Sequence, residues 1–536
     1  AMASALCTLF SVAPFGFWPA AIAGPALLIF IALHAKTTKS AMAWTFVFQL
    51  PLWLWLHAWL DHVAIAGWIG VGFYMAFWAP AFVYLLRRVQ ANQCISVVMT
   101  APVLWVGLEC LRGIVIFDGY PWFLAGLGIL DWQPIISIAT VGSVWLASFL
   151  VLAIAGLLVT IKQVRWWTIT IIGGVLLSLF VSPAGFHYFY ERGSNTMTVA
   201  AIQTNVPQSN KVAWGFAQQQ NDVADAIKLT YEATNMDPKP DVIIWPETML
   251  PGAGFNADKS DFSPYSEEFL PLWYWAEVLR KTARQIDIPI LVGSQTWLHV
   301  YFIEDDESIE VTNGEQYNSA VLVYPDGSYQ RYDKTFLTPF GETIPYLSAF
   351  PAAQNWVRDT FGAAMLFDLH VGGAPERFTL PAVNRQGGKE EMTIATPICF
   401  EDTVPSVVRN LVWEDGKRKA ELLINLSNDG WFGVDKTAHK QHVREARMRC
   451  IENRTPMVRV ANTGISCYID IFGNVKEQLP VLQSGVLSVK VHSAVQRPVS
   501  GIIGDRVAWL SLFGSILLVI GSCIKWSDCT NDKTNL

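Results

Sequence analysis

Residues 392–402 read Met-Thr-Ile-Ala-Thr-Pro-Ile-Cys-Phe-Glu-Asp, an apolar run of strand-forming residues that ends directly in Cys399. A second run, Asp241-Val-Ile-Ile-Trp-Pro-Glu247, ends in the same way in a carboxylate. Between them, Lys334 closes the segment Gln330-Arg-Tyr-Asp-Lys, which follows the turn signal Pro325-Asp-Gly. Because α/β enzymes present reactive groups where strands end, these segments predict an α/β catalytic domain.

The three side chains at these ends suit acyl transfer. A thiol is mostly protonated at neutral pH, so Cys399 needs a base, and Glu247 is the candidate. An ammonium such as Lys334 stabilises the oxyanion that forms when the thiolate attacks an ester. A lone Cys after an apolar strand is more often a small core residue, but the ordered occurrence of all three groups favours catalysis.

The composition of the chain predicts a membrane protein. Of 536 residues, 52% are hydrophobic and 15% charged, and the mean hydropathy is +0.31. Runs long enough to cross a bilayer lie at 17–33, 41–60, 67–86, 96–111, 134–161, 166–181 and 506–524. Counting the shorter run 2–12 as a helix gives about eight spans.

Basic residues in the short loops predict the orientation. Lys36, Lys39, Arg87, Arg88, Lys162 and Arg165 fall on every second loop, which places those loops in the cytoplasm. We therefore expect seven transmembrane helices in 1–186, an extracytoplasmic domain in 187–503, a last transmembrane helix in 504–525 and a cytoplasmic tail in 526–536. The net charge of -7 argues against a nucleic-acid partner.

Two further features leave alternatives open. Glu109 and Arg112 lie three residues apart in a span, and we expect them to pair rather than bind a ligand. Aromatic residues are dense in 250–279 and 344–369. These segments are either apolar arms that enter the outer leaflet and admit acyl chains, or parts of the domain core.

The motifs around the three candidate residues resemble the signatures of the nitrilase, or carbon–nitrogen hydrolase, superfamily. They are Trp245-Pro-Glu247, Asp333-Lys334, Ile398-Cys399-Phe-Glu401 and, further on, Asn425-Leu-Ser-Asn-Asp-Gly-Trp-Phe. With transmembrane runs on both sides, the chain is similar to the membrane-embedded branch of that superfamily, the bacterial apolipoprotein N-acyltransferases.

The resemblance implies a four-layer αββα domain in the periplasm, inserted in a multi-pass protein of the bacterial inner membrane. It also implies a ping-pong reaction in which a phospholipid, usually phosphatidylethanolamine, acylates Cys399. The acyl group then passes to the α-amino group of the N-terminal diacylglyceryl cysteine of an apolipoprotein, the last step of lipoprotein maturation. We expect a monomer.

The resemblance assigns further residues to the site. Glu247 is implied as the base, Lys334 as the oxyanion-stabilising cation and Cys399 as the nucleophile. The implied supporting residues are Glu342, Glu401, Phe400 and Asn318, and the implied substrate contacts are Trp122, Trp214 and Pro345. Phe400 departs from the family pattern, which often has Tyr after the nucleophile.

Two other functions are compatible with the sequence. One is a membrane-tethered amidase whose thioester is resolved by water, although a single anchor would serve that purpose. The other is a non-catalytic binding protein, which the intact candidate triad disfavours. Neither a Gly-rich phosphate loop in the required context nor a set of metal ligands occurs in the sequence, so we expect no cofactor and no metal.

Overall fold

The computed structural model describes residues 1–61, 63–92, 95–189, 193–208, 214–304, 308–346, 369–384 and 386–523. The chain divides into two compact units. One comprises Ala1–Tyr190, Asp435–Glu452 and Pro498–Leu536, and the other comprises Glu191–Val434 and Asn453–Arg497. The domain boundaries predicted from the sequence stay a prediction, and the structure adds that 435–452 joins the first, helical unit.

Helices form most of the first unit and flank the sheet of the second. In chain order they are α1 Met2–Ser11, α2 Trp18–His34, α3 Thr38–Leu56, α4 Ile65–Asn92, α5 Val97–Cys110, α6 Gln133–Ile136, α7 Ala139–Thr160, α8 Trp166–Phe189, α9 Phe216–Thr234, α10 Leu270–Ile286, α11 Pro405–Val412, α12 Lys436–Asn453, α13 Ser500–Ile503 and α14 Arg506–Gly521. Among these helices of the described residues, α9, α10 and α11 lie in the second unit.

Several helices of the first unit are apolar, and some of them are long enough to cross a bilayer. Within the described residues, Ile65–Asn92, Val97–Asp118 and Ala139–Thr160 are long and apolar enough to cross a bilayer. Four others, α1, α2, α14 and Trp166–Leu179, are apolar but shorter. These helices agree with a membrane protein, and the number of about eight spans stays a prediction.

Inside α5 and the turn after it, the acidic and basic side chains have separate partners. Oε1 of Glu109 accepts hydrogen bonds from the indole N–H of Trp105 (2.9 Å) and the backbone N–H of Ala125 (2.7 Å). Arg112 instead donates to the carbonyl oxygen of Trp122 (2.6 Å). Among the described residues Glu109 and Arg112 thus form no direct hydrogen bond: Oε1 of Glu109 is bound by an indole and a backbone N–H group, and Arg112 is bound by backbone carbonyls.

Helix α12 carries charged side chains into the first unit. Arg444 and Arg447 both bind the carboxylate of Asp131, at 2.6 and 2.8 Å. At the other end of the helix, Glu452 accepts hydrogen bonds from the hydroxyl of Ser143 (2.6 Å) and the backbone N–H of Val144 (2.7 Å). That N–H can reach an acceptor outside its own helix because α7 leaves helical geometry at Ser143. The charges of α12 thus compensate groups that the helical bundle leaves unpaired.

The second unit is built on β-strands. They are β1 Thr196–Gln203, β2 Val242–Ile244, β3 Ile290–Glu304, β4 Ile309–Val323, β5 Tyr329–Asp333, β6 Phe378–Val383, β7 Lys389–Ala395, β8 Trp413–Glu414, β9 Lys417–Arg418, β10 Leu422–Ser427, β11 Met457–Ala461, β12 Cys467–Ile469, β13 Val475–Gln478 and β14 Gly485–His492. Except for the short β8–β9 hairpin, these strands form one hydrogen-bonded sheet, in which β14 pairs with β1.

The path has two halves. One half runs β14-β1-β2-β3-β4-β5 and the other runs β6-β7-β10-β11-β12-β13. They are joined through the single register pair of Thr196 and Val383, while β1 and β11 pack against each other. Helices α9 and α10 cover the outer face of the first half, where alternate residues of β1, β3 and β4 are buried. This is the sheet-on-sheet arrangement with outer helices that an αββα domain requires.

The first aromatic segment, 250–279, packs on the domain core. Phe255 and Trp275 are buried in the cluster under α9 and α10. Phe262 is fully buried in a second cluster, against which Phe269 and Trp273 pack. Burial within the protein removes Phe255, Phe262 and Trp275 from water, so these three side chains follow the alternative of core packing and not that of a lipid-entering arm. In the second segment, 347–368 lies outside the described residues.

Candidate active site

Glu247 lies three residues beyond β2, in a tight backbone turn. Its neighbour Thr248 has a positive φ of 50°. The turn also needs a glycine opposite it, because a Cβ on Gly293 of β3 would lie 2.4 Å from the Cα of Glu247. The side chain is 5% exposed. Its Oε1 accepts a hydrogen bond from the amide of Asn318 (2.8 Å), and its Oε2 accepts one from the backbone N–H of Asn428 (2.7 Å).

Lys334 follows β5 and is almost fully buried. Its Nζ is 2.6 Å from Oε2 of Glu342 and 3.9 Å from Oε1 of Glu247. Asn318 completes the group, since its amide also donates to Oε1 of Glu342 (3.0 Å). Burial alone would lower the pKa of Lys334, but the charges of Glu342 and Glu247 outweigh burial and raise that pKa. The side chain is therefore a permanent cation.

Cys399 follows the parallel bridge between Ile398 and Leu426, at the start of a 3₁₀ turn that runs to Thr403. Its φ is 49°, a left-handed conformation that a residue with a Cβ adopts only when its surroundings impose it. Burial and the charge of Glu247 raise the pKa of the thiol well above its usual value, while the charge of Lys334 opposes that rise. The resting thiol is protonated, so a nearby base is needed for its attack.

Glu401 connects the turn of Cys399 to the segment after Lys334. One oxygen accepts hydrogen bonds from the backbone N–H groups of Thr335 (2.8 Å) and Phe336 (3.0 Å). The other accepts from the N–H of Ile398 (2.8 Å), and the hydroxyl of Tyr332 donates to both. Burial raises the pKa of Glu401. Glu401 therefore fixes the backbone on either side of the site, including the residue before Cys399.

The structure locates the other predicted residues without testing their roles. Phe400 is buried and its ring stacks on Phe336 at 6.2 Å. Pro345 is buried beyond Glu342, and Trp214 donates its indole N–H to Asp222 (2.8 Å) at the start of α9. Trp122 is buried in the first unit, next to the ring of His442. The predicted substrate contacts of Trp122, Trp214 and Pro345 stay predictions.

Two asparagines of the site, Asn428 and Asn462, had no role predicted from the sequence. Asn462 is fully buried, and its amide donates to Oδ1 of Asn428 (3.0 Å) and to the carbonyl of Val206 (2.8 Å). Asn428 in turn offers its backbone N–H to Glu247. A sequence feature that could have indicated Asn428 is the run of polar residues after the apolar strand β10, because polar groups at a strand end often belong to a site.

The arrangement combines a buried carboxylate, a permanent cation and a thiol whose titration both of them influence. The carboxylate of Glu247 is oriented by two donors, which leaves it in a fixed position to accept a proton. Lys334 is fixed by Glu342 and places in the site a positive charge of the kind that stabilises a tetrahedral oxyanion. Chemically, the site can form and break an acyl thioester.

Family profiles match two stretches of the chain. The carbon–nitrogen hydrolase profile matches residues 198–499, and the profile for the apolipoprotein N-acyltransferase N-terminal domain matches residues 4–157. The first match contains Glu247, Lys334 and Cys399. It confirms the predicted nitrilase-like domain, and the second confirms that the resemblance extends into the helical unit.

Relatives similar to this chain along most of its length are named apolipoprotein N-acyltransferase. One from Geobacter metallireducens is 29% identical and covers 83% of this chain and 78% of the relative. One from Vibrio cholerae is 28% identical and covers 90% and 89%. Among solved structures, a carbon–nitrogen hydrolase from Helicobacter pylori G27 is 14% identical, covers 55% of this chain and 89% of its own, and has a TM-score of 0.36.

Proposed function

Because the chain belongs to the carbon–nitrogen hydrolase family, we propose that it is an apolipoprotein N-acyltransferase that works through a thioester on Cys399. The observation that carries this proposal is the set of buried Glu247, buried Lys334 and half-buried Cys399 in a chain whose N-terminal helices match the N-terminal domain of such enzymes. Amidase activity would require the same three groups, but it would not explain the presence of that helical domain.

The first half-reaction acylates the enzyme. Glu247 accepts the proton of the Cys399 thiol, and the sulfur attacks the sn-1 ester carbonyl of a phospholipid, of which phosphatidylethanolamine is the expected donor. Lys334 stabilises the oxyanion of the tetrahedral intermediate. When this intermediate collapses, the carbon–oxygen bond breaks, and the lysophospholipid leaves with the proton that Glu247 held.

The second half-reaction transfers the acyl group. The α-amino group of a diacylglyceryl cysteine, at the N-terminus of an apolipoprotein, attacks the thioester carbonyl. Glu247 takes a proton from the attacking amine, and the carbon–sulfur bond breaks with the return of a proton to the sulfur of Cys399. The product is an amide, and the enzyme regains its initial state.

The helices long and apolar enough to cross a bilayer make the chain a membrane protein. The proposal adds that this membrane is the bacterial inner membrane and that the catalytic unit faces the periplasm. The alternation of basic loops supports this orientation. Both substrates, a phospholipid and a diacylated lipoprotein, reside in the outer leaflet of that membrane.

Mass spectrometry of the purified chain after incubation with phosphatidylethanolamine tests the proposal. We expect a hydroxylamine-labile acyl adduct on the peptide that contains Cys399, and its discharge by a synthetic diacylated lipopeptide. The matched control is Cys399→Ala, which should acquire no adduct, while the other thiols report background acylation. Discharge by water alone would indicate an amidase or thioesterase, and the absence of any adduct with active lipid would contradict the proposal.

A further inference from the structure

Arg459 lies in β11 with its side chain fully buried, and its guanidinium group meets carboxylates from two separate turns. Nη2 donates to Oδ1 of Asp429 (2.9 Å) and Nη1 donates to Oδ2 of the same residue (3.2 Å). On another edge of the group, Nε is 3.6 Å from Oδ2 of Asp402. Both carboxylates are buried as well.

The two turns carry the groups that react. Asp402 belongs to the turn Cys399–Thr403, here called the nucleophile turn. Asp429 belongs to Asn428–Phe432, here called the base turn because the N–H of Asn428 binds Oε2 of Glu247. One buried cation therefore connects the turn that presents the thiol with the turn that holds the base.

The surroundings of Asp429 keep that carboxylate in place. The hydroxyl of Ser427 donates to its Oδ1 (2.7 Å). On the opposite side, a Cβ on Gly464 would lie only 2.0 Å from its Oδ2, so the carboxylate occupies space that any other residue at 464 would fill. Without the arginine, two buried carboxylates would face each other uncompensated, which drives such groups apart or forces one to take up a proton.

We propose that Arg459 is a positioning residue for acyl transfer, which sets the separation of Cys399 and Glu247 by binding Asp402 and Asp429 at the same time. The inference rests on the proposed roles of Cys399 and Glu247. Arg459 itself needs no contact with either substrate. Its bidentate contact with Asp429 and the Nε contact with Asp402 require the planar guanidinium, because a lysine is a point charge that reaches one carboxylate at a time.

The test uses the full-length protein in detergent and three variants. Arg459→Lys keeps the charge but loses the bridge, Asp402→Asn removes one end of the bridge, and Arg418→Lys is the matched control. Arg418 is a largely buried arginine of the same unit that donates to the carbonyls of Ala420 and Gln496 and is not part of the site. Each variant is assayed for acyl transfer and for alkylation of Cys399 by iodoacetamide across pH.

For Arg459→Lys we expect kcat to fall about 100-fold, the loss that a displacement near 1 Å produces, while KM changes little. Asp402→Asn should lose about 10-fold by the same argument. In both variants the pH profile of Cys399 alkylation should differ from that of the wild type, which a merely structural residue would not cause. Arg418→Lys should match the wild type per folded molecule in both assays.

Wild-type alkylation profiles and wild-type kcat per folded molecule in the Lys and Asn variants would overturn the inference. If Arg459→Lys does not fold, Asp402→Asn decides the question alone, because it keeps both the shape of the side chain and the pair of Arg459 with Asp429. Alkylation requires no lipid, so it separates the two proposals. An altered profile in a chain that never forms an acyl adduct would contradict the proposed function and leave standing only the placement of the Cys399 thiol by Arg459.

Discussion

Nζ of Lys334 lies 2.6 Å from the carboxylate of Glu342 but 3.9 Å from that of Glu247. The close pair satisfies the ammonium, and the amide of Asn318 bridges the two carboxylates. Glu247 is thus near the cation without being bound to it at hydrogen-bond distance. This difference supports the proposed roles of the two carboxylates, in which Glu342 fixes the cation and Glu247 accepts the proton.

Replacement of Glu342 by Gln should therefore slow acylation of Cys399 by about 100-fold, in the range found when one oxyanion-stabilising group is lost. Without that carboxylate, Lys334 has Glu247 as its nearest anion, and the resulting ion pair occupies the base. Single-turnover formation of the acyl adduct measures the effect. Glu315→Gln, on the same strand as Asn318, is the control and should acylate at the wild-type rate. Equal rates in both variants would contradict the assignment.

The left-handed conformation of Cys399 predicts a conflict between stability and activity. Cys399→Gly and Cys399→Ala should both be inactive, but the glycine variant should be more stable than the alanine variant by about 1 kcal/mol, because glycine adopts φ near 49° without strain. Thermal unfolding in detergent compares the two. Ala226→Gly in α9 should show the opposite sign, since its backbone is helical. If Cys399→Gly were less stable than Cys399→Ala, the backbone at position 399 would not be strained.

Glu247 and Cys399 could be singled out in the sequence because each follows an apolar run, and Lys334 because it closes a short strand that follows a turn signal. Their supports could not be predicted in this way. Asn318 reaches Glu247 only because β4 pairs with β3, which is itself next to β2. The hydrogen bond joins residues 71 positions apart. Local patterns carry no information on such a contact, although the resemblance had included Asn318 in the site.

The burial of some side chains could not be predicted from local composition. Aromatic side chains leave water equally well for lipid and for a protein core, so the composition of 250–279 did not reveal that Phe262 is buried. Conversely, the many charges of α12 are typical of a solvated helix, yet Glu445 and Glu452 are buried there. Besides partners within the helix, each carboxylate accepts a hydrogen bond from a backbone N–H group more than 300 positions away in the chain, beyond the reach of a local pattern.

The thiol of Cys399 should titrate in opposite directions when its two charged neighbours are removed. The charge of Glu247 raises the pKa of the thiol and that of Lys334 lowers it. Glu247→Gln should therefore move alkylation by iodoacetamide to lower pH, and Lys334→Met should move it to higher pH. Both variants should nevertheless lose acyl transfer. Shifts of the same sign would show that the two charges do not act on this thiol.

Glu445 of α12 predicts a pH dependence of stability. Burial raises its pKa to about 7, against the opposing charges of Arg449 and His442. Because the folded-state pKa lies above the unfolded one, the stability that Glu445 contributes is complete at low pH and is lost as pH rises through about 7. Glu445→Gln removes this loss, so between about pH 5 and about pH 8 the variant should gain about 2.5 kcal/mol relative to the wild type.

Unfolding of both proteins in detergent at the two pH values measures the difference. The exposed Glu391→Gln is the control and should track the wild type at each pH. A constant difference between Glu445→Gln and the wild type would mean that the carboxyl is ionised in the folded state throughout this range.

Gly293 offers a way to move the base without altering any polar group. A Cβ at this position would lie 2.4 Å from the Cα of Glu247 and 2.5 Å from the backbone nitrogen of Thr248, so Gly293→Ala must displace the turn that carries the base. A displacement near 1 Å should lower kcat about 100-fold. Gly314→Ala in β4, where the nearest atom is a side-chain carbon of His299 at 3.3 Å, is the control in the same hairpin. At high pH the solvent removes the thiol proton, so Gly293→Ala should still be alkylated at Cys399 there while it loses acyl transfer. Loss of both would instead indicate that the whole site is disrupted.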